Sequence, residues 1–253
     1  MRSVRPADYL GCPATVTEAQ AAGRTLLSTG WGLRDAAIAL GGTFACSLLM
    51  LAALSAGRSA GWVLAPGWYL IVAATVPWIA MVGWPMWVTR RFGNGPRLDL
   101  GLSLRRIDVV WGLLGGLVAL AGGLIAARVT EMFIGDFSSI AGEQASKAAE
   151  SSQRWQMLLF GLIVAVGAPF AEELVFRGML WAGLARLGMR PVFTLLATTI
   201  VFAFFHFEFS RIGVLLVIGL VLGALRLFTQ RLGASMVAHG MNNLPGAIGI
   251  ALA

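Results

Sequence analysis

The stretch FAEELVFRGM, residues 170–179, places Glu172, Glu173 and Arg177 in the middle of a long apolar run. A charged side chain near the centre of a bilayer costs about 2.5–3.5 kcal/mol on insertion scales, so such residues face protein or water and often mark a functional site. We therefore expect these three residues to lie on a membrane-embedded helix and to face the interior of a helix bundle.

The composition is that of a membrane protein. Of the 253 residues, 58% are hydrophobic and only 12% are charged, whereas soluble domains carry about 25% charged residues. The net charge of +7 does not indicate nucleic-acid binding, because most arginines lie between apolar runs and no basic patch is interleaved with aromatic residues. Cys12 and Cys46 are the only cysteines, which excludes a disulfide framework and a CxxC metal knuckle.

Apolar segments long enough to cross a bilayer recur along the chain and predict an all-α, polytopic transmembrane helix bundle. The seven predicted spans cover about 33–56, 67–88, 107–128, 156–187, 191–208, 212–228 and 234–252. We divide the chain into a polar N-terminal segment, 1–30, a region of N-terminal spans, 31–154, and a C-terminal bundle, 155–253. Residues 129–155 are polar and predict one or two amphipathic helices along the membrane interface.

The distribution of basic residues predicts the orientation of the bundle. With a cytoplasmic N-terminus, thirteen lysines and arginines fall in inside loops and five in outside loops. We predict an integral membrane protein of a bacterial cell membrane, inserted through its first span. The fourth span exceeds one bilayer thickness, so we expect it to protrude on the cytoplasmic side or to break near Pro169.

Few polar residues lie within the C-terminal apolar runs, and their spacing predicts a cluster. They are Glu172, Glu173, Arg177, His206, His239, Asn242 and Asn243. Residues four apart share a helix face, which predicts a Glu173–Arg177 ion pair and turns Glu172 about 100° away. Glu172 and His206 each lie 15 residues from the predicted turn at 187–191, or about 22 Å, so they should meet at one depth in the cytoplasmic half of the membrane. His239 and Asn243 are also four apart and should point at a common spot nearby.

Two kinds of chemistry suit this cluster. A carboxylate and a histidine can hold and deprotonate a water molecule, while His239 and Asn243 supply two donors to the oxyanion of a tetrahedral intermediate. Alternatively, Glu172, His206 and His239 form the two-histidine, one-carboxylate ligand set of a hydrolytic zinc site. The spacing of His239 and Asn243 slightly favours the version that needs no cofactor, and zinc stays an alternative.

Three motifs carry a family resemblance. They are EExxxR (Glu172, Glu173, Arg177), FxxxH (Phe202, His206) and HxxxN (His239, Asn243). Together they resemble the CPBP intramembrane protease family, which includes type II CAAX prenyl endopeptidases and Abi-like bacterial relatives linked to bacteriocin processing or immunity. The similarity covers roughly residues 155–246.

The resemblance implies a membrane-embedded endopeptidase, of glutamic or metalloprotease type, that cuts a protein or peptide substrate at the lipid bilayer. It assigns Glu172 and His206 to water activation, His239 and Asn243 to the oxyanion, and supporting roles to Glu173, Arg177 and Phe202. Two other functions remain open: a non-catalytic scaffold or bacteriocin-immunity protein, and a transporter with a proton relay. The sequence lacks HExxH, GxGD, GxSxG and Walker A motifs, which argues against other protease and nucleotide-binding classes.

Other residues have simpler interpretations. Glu208 and Arg211 lie in a predicted turn and are expected to be solvated loop charges, or less readily to line an entrance. Asp108 is expected to be an N-terminal helix charge. Gly219 and Gly223 form a small-xxx-small pair and predict a close contact between two helices.

Overall fold

The computed structural model describes residues 15–252, apart from the side chain of Ala141. Cys12 and the first half of the polar segment 1–30 lie outside the described residues. Within the described part, all regular structure is helical, which confirms the all-α prediction. The helices are α1 Val16–Ala21, α2 Leu33–Ser59, α3 Pro66–Phe92, α4 Pro96–Asp99, α5 Arg106–Ile134, α6 Ile140–Ala149, α7 Arg154–Arg186, α8 Pro191–Phe205, α9 Ile212–Thr229 and α10 Gly233–Leu252.

Each of the seven predicted spans falls largely within helix, and five helical stretches among residues 15–252 are long and apolar enough to cross a membrane. These are α2, α3, α5, α7 and Phe209–Thr229, which joins a short 3₁₀ turn to α9. Helix α8 is apolar but has 15 residues, or about 22 Å, which is shorter than the hydrocarbon core. Helix α10 carries the polar residues of the third motif, which lower its hydropathy. The chain is thus a polytopic bundle of membrane helices.

Helix α7 continues through Pro169 without ending. Two π-helical segments, Ile163–Gly167 and Leu174–Leu180, lie on either side of this proline. Proline has no N–H and clashes with the carbonyl four residues before it, so the wider π turn before Pro169 accommodates the ring. The predicted break is therefore a local widening of the helix.

The core of the bundle forms around the second half of α7. Leu174, Val175, Phe176 and Met179 are fully buried, because α2, α3 and α8 pack against this part of the helix. Helix α10 packs along α5 and the first half of α7. These contacts fix the positions of the three helices that carry the motif residues.

The glycine pair brings α8 and α9 together as predicted. A Cβ atom on Gly219 would lie 2.9 Å from Thr199 Cγ2, and one on Gly223 would lie 2.9 Å from Leu195 Cγ. Such distances are too short for carbon atoms, so a larger residue would force the two helices apart.

The polar stretch between α5 and α7 contains one helix, α6. Its buried Ala145 and Ala148 pack in a cluster with Leu70 of α3 and Phe160 of α7. Helix α6 is therefore attached to the bundle by apolar contacts, and it lies beside the motif residues described below.

Asp108 has the predicted position at the start of α5, where its carboxylate accepts the N–H of Arg105 at 2.8 Å. It also pairs with Arg231 in the turn between α9 and α10, at 2.6 Å. Hydrogen bonding to Asp108 raises the pKa of Arg231 above its ordinary value. This pair ties the turn before α10 to the beginning of α5.

Candidate active site

Residues of all three motifs line one cavity of about 610 Å³. Its wall is formed by α7, α8 and α10, with α6 and the beginning of α9 on another side. The polar residues that line it include Glu172, His206, His239, Asn242, Asn243 and Glu208. Spans that are far apart in sequence thus contribute polar side chains to the same space.

Glu172 and His206 meet across the cavity, at the separation expected from their matching depths. His206 Nε2 lies 3.7 Å from Glu172 Oε2. This oxygen is buried and has no hydrogen-bond partner among the described residues. His206 Nδ1 lies 2.8 Å from the carbonyl oxygen of Phe202. Because a carbonyl only accepts, Nδ1 carries the proton and Nε2 presents its lone pair to the cavity.

His239 lies on the other side of the same carboxylate. Its Nε2 is 3.8 Å from Glu172 Oε2, and its Nδ1 is 3.0 Å from Glu173 Oε1. The adjacent glutamates therefore face the two nitrogens of one imidazole ring. The Nδ1 atom carries a proton, because an ionised carboxylate only accepts.

The predicted Glu173–Arg177 pair is present and deeply buried. Arg177 Nη1 donates to Glu173 Oε1 at 3.0 Å, and both side chains are fully buried. Arg177 Nη2 donates to the carbonyl oxygen of Gly219 at 3.0 Å. A buried charge is stable only when it is paired and hydrogen-bonded, so these contacts fix the carboxylate that holds His239.

Phe202 separates and supports the two histidines. Its ring is 1% exposed and makes edge contacts with His206 and His239, at centroid distances of 4.7 and 5.8 Å. The guanidinium carbon of Arg177 lies 4.4 Å from the centre of the same ring, within the range of a cation–π contact. Phe202 thereby restricts the orientation of both imidazoles.

Asn243 donates from Nδ2 to the carbonyl oxygen of Val164 at 3.1 Å. Pro169 explains why that carbonyl is free. The N–H of Ala168 donates to the carbonyl of Ile163, five residues earlier in the chain. With the same spacing, the carbonyl of Val164 would accept from residue 169, but Pro169 has no N–H. Asn243 supplies the missing donor, and one further amide hydrogen of Nδ2 is left for the cavity.

The expectation that Glu208 is a solvated loop charge is wrong. Glu208 is 8% exposed and its Oε1 accepts from the N–H of Ile140 at 2.9 Å and from Ser139 Oγ at 3.2 Å. Its other oxygen pairs with Arg211. The first N–H groups of a helix have no partner within that helix, and Glu208 satisfies one of them at the start of α6. It thereby fixes α6 against the cavity.

A zinc site would require three or more ligand side chains that point at one metal position. Between residues 15 and 252, no group of three or more His, Cys, Asp and Glu side chains is arranged to hold a metal ion. Glu172, His206 and His239 therefore do not form a metal-ligand arrangement in this structure. Zinc binding stays a prediction that needs a direct measurement.

An apolar helix bundle with carboxylate, imidazole and amide groups around one cavity is an arrangement that membrane-embedded hydrolases can use. Residues 154–245 match the family model described as type II CAAX prenyl endopeptidase Rce1-like. This segment runs from the first residue of α7 to Pro245 in α10, and the match confirms the resemblance to the type II CAAX endopeptidase family over this part of the chain. No curated protein and no solved structure matches the chain.

Proposed function

We propose that the protein is an intramembrane endopeptidase that hydrolyses peptide bonds of membrane-associated proteins or peptides. The observation that carries this proposal is the position of Glu172 Oε2. It is buried without a hydrogen-bond partner and lies 3.7 Å from His206 Nε2 and 3.8 Å from His239 Nε2. The Rce1-like family supports peptide-bond hydrolysis at a membrane.

In this proposal Glu172 and His206 hold the attacking water. Their facing atoms are too far apart for a direct hydrogen bond but suit a water molecule that donates one hydrogen to each. The remaining lone pair of the water attacks the scissile carbonyl carbon, and Glu172 accepts the proton. The same proton then passes to the nitrogen of the leaving amine, which gives a free carboxyl and a free amino terminus.

His239 and Asn243 stabilise the oxyanion of the tetrahedral intermediate. Because Nδ1 of His239 donates to Glu173, a proton on Nε2 makes the ring an imidazolium, whose charge lies between two carboxylates. This Nε2–H and the second amide hydrogen of Asn243 are the donors to the oxyanion. Removing one such donor costs about 10²–10³ in turnover in well-studied hydrolases.

The test compares wild-type protein with the near-isosteric variant Glu172→Gln and with His206→Ala in liposomes. Host membrane fractions are incubated with each protein, and new peptide termini are identified by mass spectrometry. We expect new termini with wild type and none with either variant. Glu150→Gln is the control, because Glu150 lies on an exposed turn outside the cavity. Equal cleavage by Glu172→Gln and wild type would refute the proposal.

The role of zinc is measured on the same samples. Elemental analysis of the purified protein gives the zinc content, and cleavage is repeated after treatment with a chelator. We expect cleavage to persist in the zinc-free protein. Loss of cleavage that zinc alone restores would instead assign Glu172, His206 and His239 as metal ligands.

A further inference from the structure

A second cavity, of about 350 Å³, lies where α7 and α9 end. Its lining includes Asp99, Trp181, Ala185, Arg186, Arg226 and Gln230, and it shares no lining residue with the active-site cavity. Two arginines from different helices thus meet at one small polar cavity.

Arg226 is the central observation, because it is a buried cation without a carboxylate. Its residue exposure is 8%, its Nε donates to the carbonyl of Arg177 at 2.9 Å and its Nη2 lies 3.5 Å from the carbonyl of Leu100. Among residues 15–252 its Nη1 has no hydrogen-bond acceptor, and no carboxylate lies within ion-pair distance of it. Arg226 lines the cavity, and a guanidinium that is this deeply buried is stabilised when an anion completes its partners.

The second arginine, Arg186, lies 3.5 Å from the centre of the Trp31 ring and pairs with Asp99 near the limit of ion-pair distance. Arg186 Nη1 donates to the carbonyl of Trp31 at 2.9 Å, and Arg186 Nη2 lies 3.7 Å from Asp99 Oδ1. The Asp99 carboxylate also accepts from Trp31 Nε1 at 3.0 Å and from the N–H of Asn94 at 2.9 Å. Its charge is therefore already hydrogen-bonded, and the cavity lining keeps a net charge of +1 from two arginines and one aspartate.

We infer that this cavity binds a phosphate-type oxyanion through Arg226 and Arg186. The planar guanidinium group matches the oxygen atoms of phosphate and forms charge-assisted hydrogen bonds with them. The cavity lies at the ends of two membrane helices, where both free phosphate and the headgroup of an anionic phospholipid have access. The two sources share the same chemistry and are separated by experiment.

The site is tested with inorganic phosphate as the probe, by titration calorimetry on the full-length protein in a nonionic detergent. The main variant is Ala185→Glu, because Ala185 is exposed and lines the cavity, so a glutamate there supplies an internal anion without disturbing the core. We expect phosphate affinity to fall about tenfold or more, because the new carboxylate competes for the two guanidinium groups and repels the bound anion. Ala185→Gln adds a similar volume without charge and should bind within about threefold of wild type.

A second pair of variants separates the cavity from general surface charge. Arg226→Gln should lose phosphate binding, whereas Arg190→Gln, at an exposed position outside the cavity lining, should keep it. Ala185→Glu remains decisive if Arg226→Gln does not fold. Wild-type affinity in Ala185→Glu, or no phosphate binding by wild type in detergent, would overturn the inference.

Nanodiscs distinguish the two sources of the anion. Phosphate is titrated into protein held in phosphatidylcholine alone or in phosphatidylcholine with phosphatidylglycerol. Loss of phosphate binding only in the second lipid assigns the site to a phospholipid headgroup, and equal binding in both assigns it to free phosphate. Neither measurement depends on proteolysis, so the anion site and the proposed protease activity can fail independently.

Discussion

His239 Nδ1 and Arg177 Nη1 both lie 3.0 Å from the same oxygen atom, Glu173 Oε1. One buried carboxylate thus neutralises a buried arginine and orients an imidazole that faces the cavity. The second residue of the EExxxR motif therefore supports the first, because it fixes the histidine that lies beside Glu172. Stability depends on the pairing of Glu173 with Arg177, and activity depends on its contact with His239. Substitutions can therefore separate the two effects.

We predict that the double variant Glu173→Leu/Arg177→Met is folded but inactive. Breaking a buried ion pair by removing one partner costs about 3–5 kcal/mol, whereas replacing both partners with apolar residues is often nearly neutral. Arg177→Met alone should therefore lower the thermal midpoint strongly, and the double variant should recover most of that loss. Cleavage should remain absent because His239 has lost its acceptor. Thermal unfolding and cleavage by each variant check this prediction, and an active double variant would contradict it.

Asn243 and Pro169 should be coupled energetically. Asn243→Ala leaves the Val164 carbonyl without a donor, and an unsatisfied buried group costs about 1–3 kcal/mol. Adding Pro169→Ala restores a backbone N–H beside that carbonyl, so the double variant should regain stability relative to Asn243→Ala. Turnover should stay low in both, because the amide donor to the oxyanion is missing.

The control for this pair is Asn242→Ala. Among residues 15–252, Asn242 Nδ2 donates to Asn243 Oδ1 alone, at 3.3 Å, so its removal should change stability and turnover much less. Thermal unfolding of wild type, Pro169→Ala, Asn243→Ala and the double variant measures the coupling between positions 169 and 243. If the effects of Pro169→Ala and Asn243→Ala simply add, the proposed link through Val164 is wrong.

The sequence predicted those parts of the site that depend on helical geometry alone. Residues four apart face the same way, so the Glu173–Arg177 pair followed directly from the EExxxR spacing. The approach of Glu172 to His206 required one further assumption, that consecutive spans are antiparallel and joined by a short turn. The glycine pair at 219 and 223 was predicted for a similar reason, because its spacing places both residues on one face of α9.

Contacts that depend on irregular backbone could not be predicted. The π turn before Pro169 changes the register of α7, and only that register explains why Val164 needs a donor from α10. Glu208 was misinterpreted because its partner, the beginning of α6, lies 68 residues earlier in the chain. No local pattern indicates that these two segments meet beside the cavity.

Glu208 should control the stability of α6 over the cavity. In Glu208→Gln the neutral amide oxygen replaces a carboxylate at a helix N-terminus, and such contacts contribute about 0.5–2 kcal/mol. We expect hydrogen exchange to accelerate in residues 139–149 and to remain unchanged in α7. Glu150→Gln is the control, since Glu150 is exposed and follows the last residue of the same helix, far from its first turn. Equal exchange in Glu208→Gln and wild type would show that α6 is held by its apolar contacts alone.

Gly219→Ala and Gly223→Ala should destabilise the protein similarly but differ in activity. Each new methyl group would lie 2.9 Å from a carbon atom of α8, and overpacking of this kind costs about 1–3 kcal/mol. Only Gly219 also provides the carbonyl that accepts from Arg177 Nη2, so moving it disturbs the residues that hold His239.

The measurement for the glycine pair is turnover per folded molecule, with the folded fraction taken from thermal unfolding. We expect a clear loss for Gly219→Ala and near wild-type turnover for Gly223→Ala. Thr199→Ser removes the nearest group that the new Cβ at position 219 would meet, while Phe202 Cδ1 stays 3.3 Å from it, so combining it with Gly219→Ala should restore part of the stability and of the turnover. Near wild-type turnover in Gly219→Ala alone would mean that the Gly219 carbonyl does not position Arg177 for catalysis.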